Sequence, residues 1–313
     1  MKKLKKLLIT LTVSMTALFG ILYLFGPKFN LYLSPPSPEK YGKIALNNMD
    51  DGLFAEGNRW KEAKEIAKKE LKGVKSYDDT QPILEKAIKV AGGKHSFFDT
   101  TTGLESSKVT LPTSKTENNT LIITIPEFIS PDKKEQAKYS NIIREAIENN
   151  EYNSVILDFR NNTGGNMWPM IDGLSPLLPN KKLLSFISRK GAEENLTLSK
   201  NSIINGKEVQ KISESKKIVD KPIAILINDH TASSGEIVSL CFKSLKNVKY
   251  YGGDSAAYTT SNMQYCLYGG RFMFLTTQKI KDDTGHIYEN TPIEPDVRTN
   301  DALNEALKEL NKI

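Results

Sequence analysis

The sequence is poor in the residues that build covalent or metal scaffolds. Its 313 residues include two cysteines, Cys241 and Cys266, and three histidines, His95, His230 and His286. Two cysteines do not make a disulfide-rich scaffold, although an exported domain could join them. Cys241 falls in an apolar helical stretch that suits a free buried thiol. Neither cysteine has a His or Cys at ligand spacing, which argues against structural zinc, and no metal or organic cofactor is expected. Internal repeats and low-complexity segments are also missing. With 39% hydrophobic and 26% charged residues and a mean hydropathy of -0.40, the chain is not a multi-span membrane protein.

Excess positive charge is missing from most of the chain, despite a pI near 9.0. Lys2, Lys3, Lys5 and Lys6 precede the first apolar run with no acid among them. Setting those four aside lowers the formal charge from +6 to +2, 39 basic against 37 acidic side chains. Such balance gives no electrostatic footprint for nucleic acid, so no nucleic-acid partner is expected. The run Leu7 to Gly26 is uncharged and, as a helix, just long enough to span ~30 Å of hydrocarbon. It leads into Pro27-Lys28-Phe29 without a convincing cleavage site, and no cysteine follows to carry a lipid. An uncleaved transmembrane anchor over residues 1–26 is therefore expected, a removed signal peptide being the alternative. The lysines would stay in the cytoplasm, leaving the rest outside the cell.

A proline-containing tether, Leu31 to Pro38, follows. Three helical patterns come next, over Ser37–Asn48, Arg59–Lys72 and Pro82–Ala91, and suggest a small helical bundle ending at Gly92-Gly93. Residues 27–92 thus read as tether and bundle, and 93–313 as a second domain. In that domain Leu121–Phe128, Ser154–Arg160, Lys182–Ser188, Pro222–Asn228 and Val248–Gly252 read as strands. A hairpin is expected to turn at Gly269-Gly270. Helices are expected over Lys134–Asn149, Ile237–Leu245 and Asp301–Leu310. The alternation predicts an α/β fold with a partly parallel sheet. The polar stretch at about 190–218 carries Asn205-Gly206, a hairpin signal, and reads as a flap or as a surface loop.

Three segments could carry chemistry. Asn228 to Glu236 joins a strand to a helix and contains Ser233, where helix-terminal N–H groups could hold developing negative charge. Ser233-x-x-Glu236 is equally a capping box. Asp158 to Trp168 follows a strand and holds Gly164-Gly165, whose N–H groups could face an oxyanion, or which simply turn the chain into a helix. Gly92 to Phe98 contains His95, a base of suitable pKa if it reaches a serine, or a surface loop residue otherwise.

Together the DFRNNTGG and TASSGE segments resemble those of the C-terminal processing (tail-specific) serine peptidases, in the family's order, over roughly residues 90–300. The resemblance implies that family's core sheet with flanking helices, here preceded by the bundle and carrying a β-hairpin cap. It makes Ser233 the nucleophile. Many members place a lysine 25 residues beyond it; this chain has Tyr258 there. It is similar instead to a branch that takes its base from a KHS loop, hence His95. Ser234 with Gly164 or Gly165 would supply the oxyanion donors. Asn166, Met167 and Trp168 would line a peptide groove, or pack the following helix. Glu289 is the candidate to orient His95, with Glu294 and Glu236 as rivals. That branch cleaves a lanthipeptide such as nisin near its carboxyl end and so confers resistance. Gly235 stands where the branch commonly has alanine, a change from which little consequence is expected. A general tail-processing peptidase and a non-catalytic binding module of the same fold are the other readings.

Overall fold

The computed structural model describes residues 2–26, 31–99 and 109–312. The chain forms two compact units, one of Met1–Leu104 with Asn262–Thr277, the other of Glu105–Ser261 with Gln278–Ile313.

The first unit is mostly helical. A single helix, α1 (Lys2–Phe25), occupies the segment expected to cross a membrane. Its side chains Ile9, Leu11, Val13, Leu18, Phe19 and Ile21 are exposed. Among the described residues, however, no helix is long and apolar enough to cross a membrane. The expected spanning helix is not borne out. Within α1 the Thr10 and Thr16 hydroxyls donate back to the carbonyls of Lys6 and Thr12 (3.0 and 2.9 Å). The Pro27–Phe29 junction lies outside the described residues.

The bundle consists of α2 (Pro38–Asn48), α3 (Gly57–Glu70) and α4 (Tyr77–Gly92). Ser37 caps α2 with a proline at its first position, as the Ser-Pro-Glu signal requires. Helix α4 begins before the expected Pro82, because Ser76 and Asp79 form a capping box ahead of it and the proline is held inside the helix. Tyr41, Leu46, Trp60, Leu71, Leu84 and Ile88 pack together with Met273 and Leu275. Strand β1 (Phe97–Asp99) pairs antiparallel with residues 272–274. The Ser96 hydroxyl accepts the N–H of Thr276 at 2.9 Å. This unit therefore runs past the expected limit at residue 92, its core completed by a late segment of the chain.

The second unit has an α/β core. In chain order come β2 (Thr113–Glu117), β3 (Thr120–Thr124), α5 (Lys133–Glu148), β4 (Ser154–Asp158), α6 (Met167–Leu174), β5 (Lys182–Ser188), β6 (Glu193–Leu198), β7 (Ser202–Asn205) and β8 (Glu208–Lys211). Then follow β9 (Ile223–Ile227), α7 (Ser234–Leu240), β10 (Val248–Gly252), β11 (Thr260–Cys266), β12 (Phe272–Asp282), β13 (Ile287–Tyr288), β14 (Val297–Arg298) and α8 (Ala302–Leu310). Strands β11 and β12 pass along the chain from one unit to the other.

One sheet has the order β14-β10-β9-β4-β3-β2, parallel except for the edge strand β2. Every residue of β4 and β9 is buried, which is why both read as unbroken apolar runs. Alternate residues serve opposite faces. Leu121, Ile123, Val155, Leu157 and Ile225 pack with Tyr139 and Ile143 of α5, whereas Ile122, Ile156, Ala224 and Leu226 pack with Ala302, Ala306 and Leu310 of α8. From the later part of β12, an antiparallel run β5-β6-β7-β8 continues. The polar insert is thus strand-built, with Gly206 at φ 56° in the β7–β8 turn and Leu196 and Leu198 of β6 buried in the core. The loops after β3, β4, β9 and β10 all leave from the carboxyl edge of the parallel sheet, the usual place for a site in such sheets.

Candidate active site

Ser233 ends the loop after β9 with φ 52° and ψ -119°. A serine in this left-handed region costs on the order of 1–3 kcal/mol and persists only where its surroundings over-determine it. Here they do. The Ser233 N–H donates to Glu236 Oε2 at 2.9 Å. Ala232 N–H donates to Asn162 O, and the Thr231 hydroxyl to Phe159 O, both at 2.9 Å. Asn228 and Asn161 pair side chain to side chain at 3.0 Å, so the loops after β9 and β4 are stitched together. The strand-corner-helix arrangement is the one that exposes a nucleophilic hydroxyl.

The loop after β4 supplies the other wall. Asn162 is buried; its amide donates to Ile125 O, and its Oδ1 accepts the Gly164 N–H, each at 2.9 Å. Gly164 and Gly165 stand at φ 114° and 96°. A Cβ on Gly164 would lie 2.8 Å from Ser233 Cβ and 3.0 Å from Ser234 N, and one on Gly165 would meet Phe128 O at 2.1 Å. Both glycines are therefore demanded by conformation and by space. The Ser234 hydroxyl donates to Gly165 O at 2.5 Å. The structure thus brings together Ser233, Ser234, Gly164 and Gly165. Of the two glycines, Gly164 has its N–H committed to Asn162. The N–H groups of Ser234 and Gly165 make no hydrogen bond to any described residue.

Asn166 caps α6, its Oδ1 accepting the Trp168 N–H at 3.0 Å. Met167 and Trp168 are half-buried and pack on the core. Trp168 also lines a cavity of about 480 Å³, facing Lys133 and Gln136 of α5 and Val209 and Lys211 of β8. Trp168 thus packs on the core and borders this cavity.

His95 belongs to the first unit and is buried, its carbonyl accepting the Asn262 amide at 2.9 Å. Burial, and secondarily the nearby charges of Lys94 and Lys89, pull its imidazole down to about 4. His230 is exposed and pairs with Asp229 at 2.8 Å, and His286 packs edge-on against Tyr288. In the second unit, Glu289 is exposed with Lys279 Nζ 3.8 Å away, and Glu294 is exposed. Tyr258, at the position of the family's lysine, donates its backbone N–H to Glu236 at 2.9 Å.

Gly235 lies close against the other loop: a Cβ there would lie 2.7 Å from Asn162 O and 2.9 Å from its Oδ1. Glu236 is more than a helix cap: fully buried, it also takes hydrogen bonds from Ser255, Ala257 and Tyr258. Sequence reasoning missed Asn162 and Ser255 altogether; only the Ser-x-x-Glu spacing pointed toward this cluster. Both cysteines are free, Cys241 buried and Cys266 exposed. Among the described residues no cluster of His, Cys, Asp or Glu could hold a metal ion.

Residues 119–299 match peptidase family S41. The nisin-resistance protein of Lactococcus lactis subsp. lactis is 43% identical over 308 residues, covering 97% of this chain and 96% of that protein. The solved structure of a lipoprotein from Streptococcus agalactiae is 36% identical with a TM-score of 0.83, covering 90% of this chain and 98% of the other. The photosystem II D1 C-terminal processing protease shares the fold, with a TM-score of 0.58 at 12% identity, over 89% of this chain and 97% of that one. The stitched loops around Ser233 thus sit in a chain that belongs to peptidase family S41 and is homologous over nearly its whole length to a nisin-resistance protein.

Proposed function

We propose that the chain is a membrane-anchored, extracellular serine peptidase that cleaves a lanthipeptide such as nisin near its carboxyl end. The observation that carries this reading is the corner at Ser233, strained and buttressed beside a diglycine turn with two uncommitted N–H groups. Ser233 Oγ attacks the scissile carbonyl, its proton passing to His95 and from there to the leaving amine. With its pKa near 4, His95 is neutral at ordinary pH. The N–H groups of Ser234 and Gly165 receive the oxyanion, and Gly164 serves by letting the turn lie close against the corner. Asn166, Met167 and Trp168 flank this point as the peptide's platform. Glu289 is assigned to orient the imidazole.

The substrate rests on the 43% identity to the nisin-resistance protein. Anchoring rests on the lysines in the first turns of α1 and on its exposed apolar side chains. Mass spectrometry of nisin incubated with the soluble domain beginning near residue 31 tests the reading, beside Ser233→Ala, His95→Ala and Glu289→Gln. A truncated product from the unmutated protein, absent with the first two variants and reduced with the third, is expected. Intact nisin throughout would remove the lanthipeptide reading, and a search of surface-protein tails would replace it.

A further inference from the structure

The carboxylate of Glu236 has no part in the acyl-transfer steps, yet it is fully buried directly beneath the nucleophile. Its surroundings are built entirely of donors. Oε2 accepts the N–H of Ser233 and the N–H of Tyr258, both at 2.9 Å. Oε1 accepts the N–H of Ala257 at 3.0 Å and the hydroxyl of Ser255. Ser255 is fixed in turn, its oxygen accepting the Ile293 N–H at 2.8 Å. Ala257 stands at φ 61°, a second strained residue tied to the same carboxylate.

An ionised carboxylate is acceptor-only, with about four lone-pair sites, and is the side chain able to satisfy four convergent donors at this spot. A protonated carboxyl or an amide replaces acceptor capacity with a donor that faces other donors. We propose that Glu236 is a positioning residue for Ser233, its ionised carboxylate holding the strained corner and the 255–258 segment in register. The proposal rests on Ser233 being the nucleophile. Two left-handed residues, Ser233 and Ala257, are then pinned by one group across two loops that differ in sequence by more than twenty positions.

Such a device responds to pH. Burial pushes the Glu236 carboxyl up to about 7, against the lowering effect of its four donors. Among the described residues no neighbouring charge offsets this. Asp254 on the adjoining segment is paired with Arg298 at 2.6 Å, the Asp229–His230 pair is exposed, and the nearby Tyr258 takes part through its backbone. As pH falls through the neutral range the carboxylate gains a proton, loses an acceptor, and releases the corner.

The test is the rate at which a fluorophosphonate labels Ser233 in the full chain, followed by peptide mass spectrometry across pH 5–9. The wild type should lose rate on acidification with a midpoint near 7. Glu236→Gln should label at least about fiftyfold slower above pH 8, where the wild-type carboxylate is charged, and approach the wild-type rate near pH 5, without that midpoint, because a misplaced nucleophile loses rate steeply. Glu236→Asp should recover part of the rate and restore a pH midpoint. Should Glu236→Gln fail to fold by circular dichroism, Ser255→Ala takes its place; losing one donor to the charged form should move the midpoint upward. Wild-type labelling rates above pH 8 in a folded Glu236→Gln, or an unmoved midpoint in Ser255→Ala, would overturn the proposal. An unmutated chain that takes no label at Ser233 would overturn the nucleophile assignment and this proposal with it.

Discussion

Replacing Gly164 with alanine is the sharpest probe of how the two loops meet. At φ 114° any L-residue is strained, by about 1–3 kcal/mol. The new methyl would also start 2.8 Å from Ser233 Cβ, and ordinary contact begins near 3.4 Å. The corner must therefore retreat by about 0.6 Å, or the glycine turn must swing away and carry its neighbour Gly165 with it. A displacement of ~1 Å at a reacting group costs roughly a hundredfold. Gly164→Ala should accordingly lower kcat on nisin by about ten- to a hundredfold, or about 1.4–2.7 kcal/mol. KM should move by less than about threefold, because Asn166 to Trp168 stay on α6. Thermal unfolding should show a loss of stability of about 1–3 kcal/mol. Gly253→Ala is the control, since it has no heavy atom within 4 Å of its Cβ position and no positive φ. Product formation by liquid chromatography and mass spectrometry measures the effect. A folded Gly164→Ala enzyme with kcat within about twofold of wild type would refute the contact argument.

His95 should titrate near 4 by NMR, and Lys94→Gln should raise that value by removing a neighbouring charge. Since its folded pKa lies below the unfolded 6.5, its contribution to stability is complete above 6.5 and is lost as pH falls through about 4; acid unfolding curves of wild type and His95→Gln check this. Gly235→Ala should reduce activity at least about fivefold by pushing Asn162 away from the Gly164 N–H, read as kcat with folding monitored by circular dichroism. Under native conditions a thiol reagent should modify Cys266 quickly and Cys241 only on unfolding, since burial both shields the Cys241 thiol and raises its pKa.

Much of the parallel sheet was legible because its strands are short apolar runs between polar bounds. Val248–Gly252 coincides with β10 of that sheet, and in the antiparallel sheet Lys182–Ser188 coincides with β5. Edge strand β2 escaped notice because four of its five residues, Thr113 to Thr116, are exposed and carry no apolar alternation. Strand β6 was hidden in the polar insert, because Leu196 and Leu198 are its only two buried residues. At the site, the residue types and their spacing pointed to Ser233 and the two glycines. The supports did not show, because each depends on a partner far along the chain. Asn162 acts on the backbone N–H groups of Ala232 and Gly164, and Glu236 on those of Ala257 and Tyr258 and on the Ser255 hydroxyl, at positions that carry no sequence signature.

The late segment that completes the helical unit sets the order in which this chain can fold during synthesis. Ser96 and Thr276 bond across 180 positions, and Met273 and Leu275 belong to the same core as α2, α3 and α4. A nascent chain released only as far as α4 lacks these core residues, so three amphipathic helices emerge with part of their apolar face still uncovered. Closing so long a loop carries an entropic penalty that grows only slowly with length, but the closing strand has to exist first. The catalytic sheet lies almost wholly between the two pieces in sequence. It can therefore assemble while the earlier helices wait, exposed to aggregation and to any chaperone that recognises bare apolar surface.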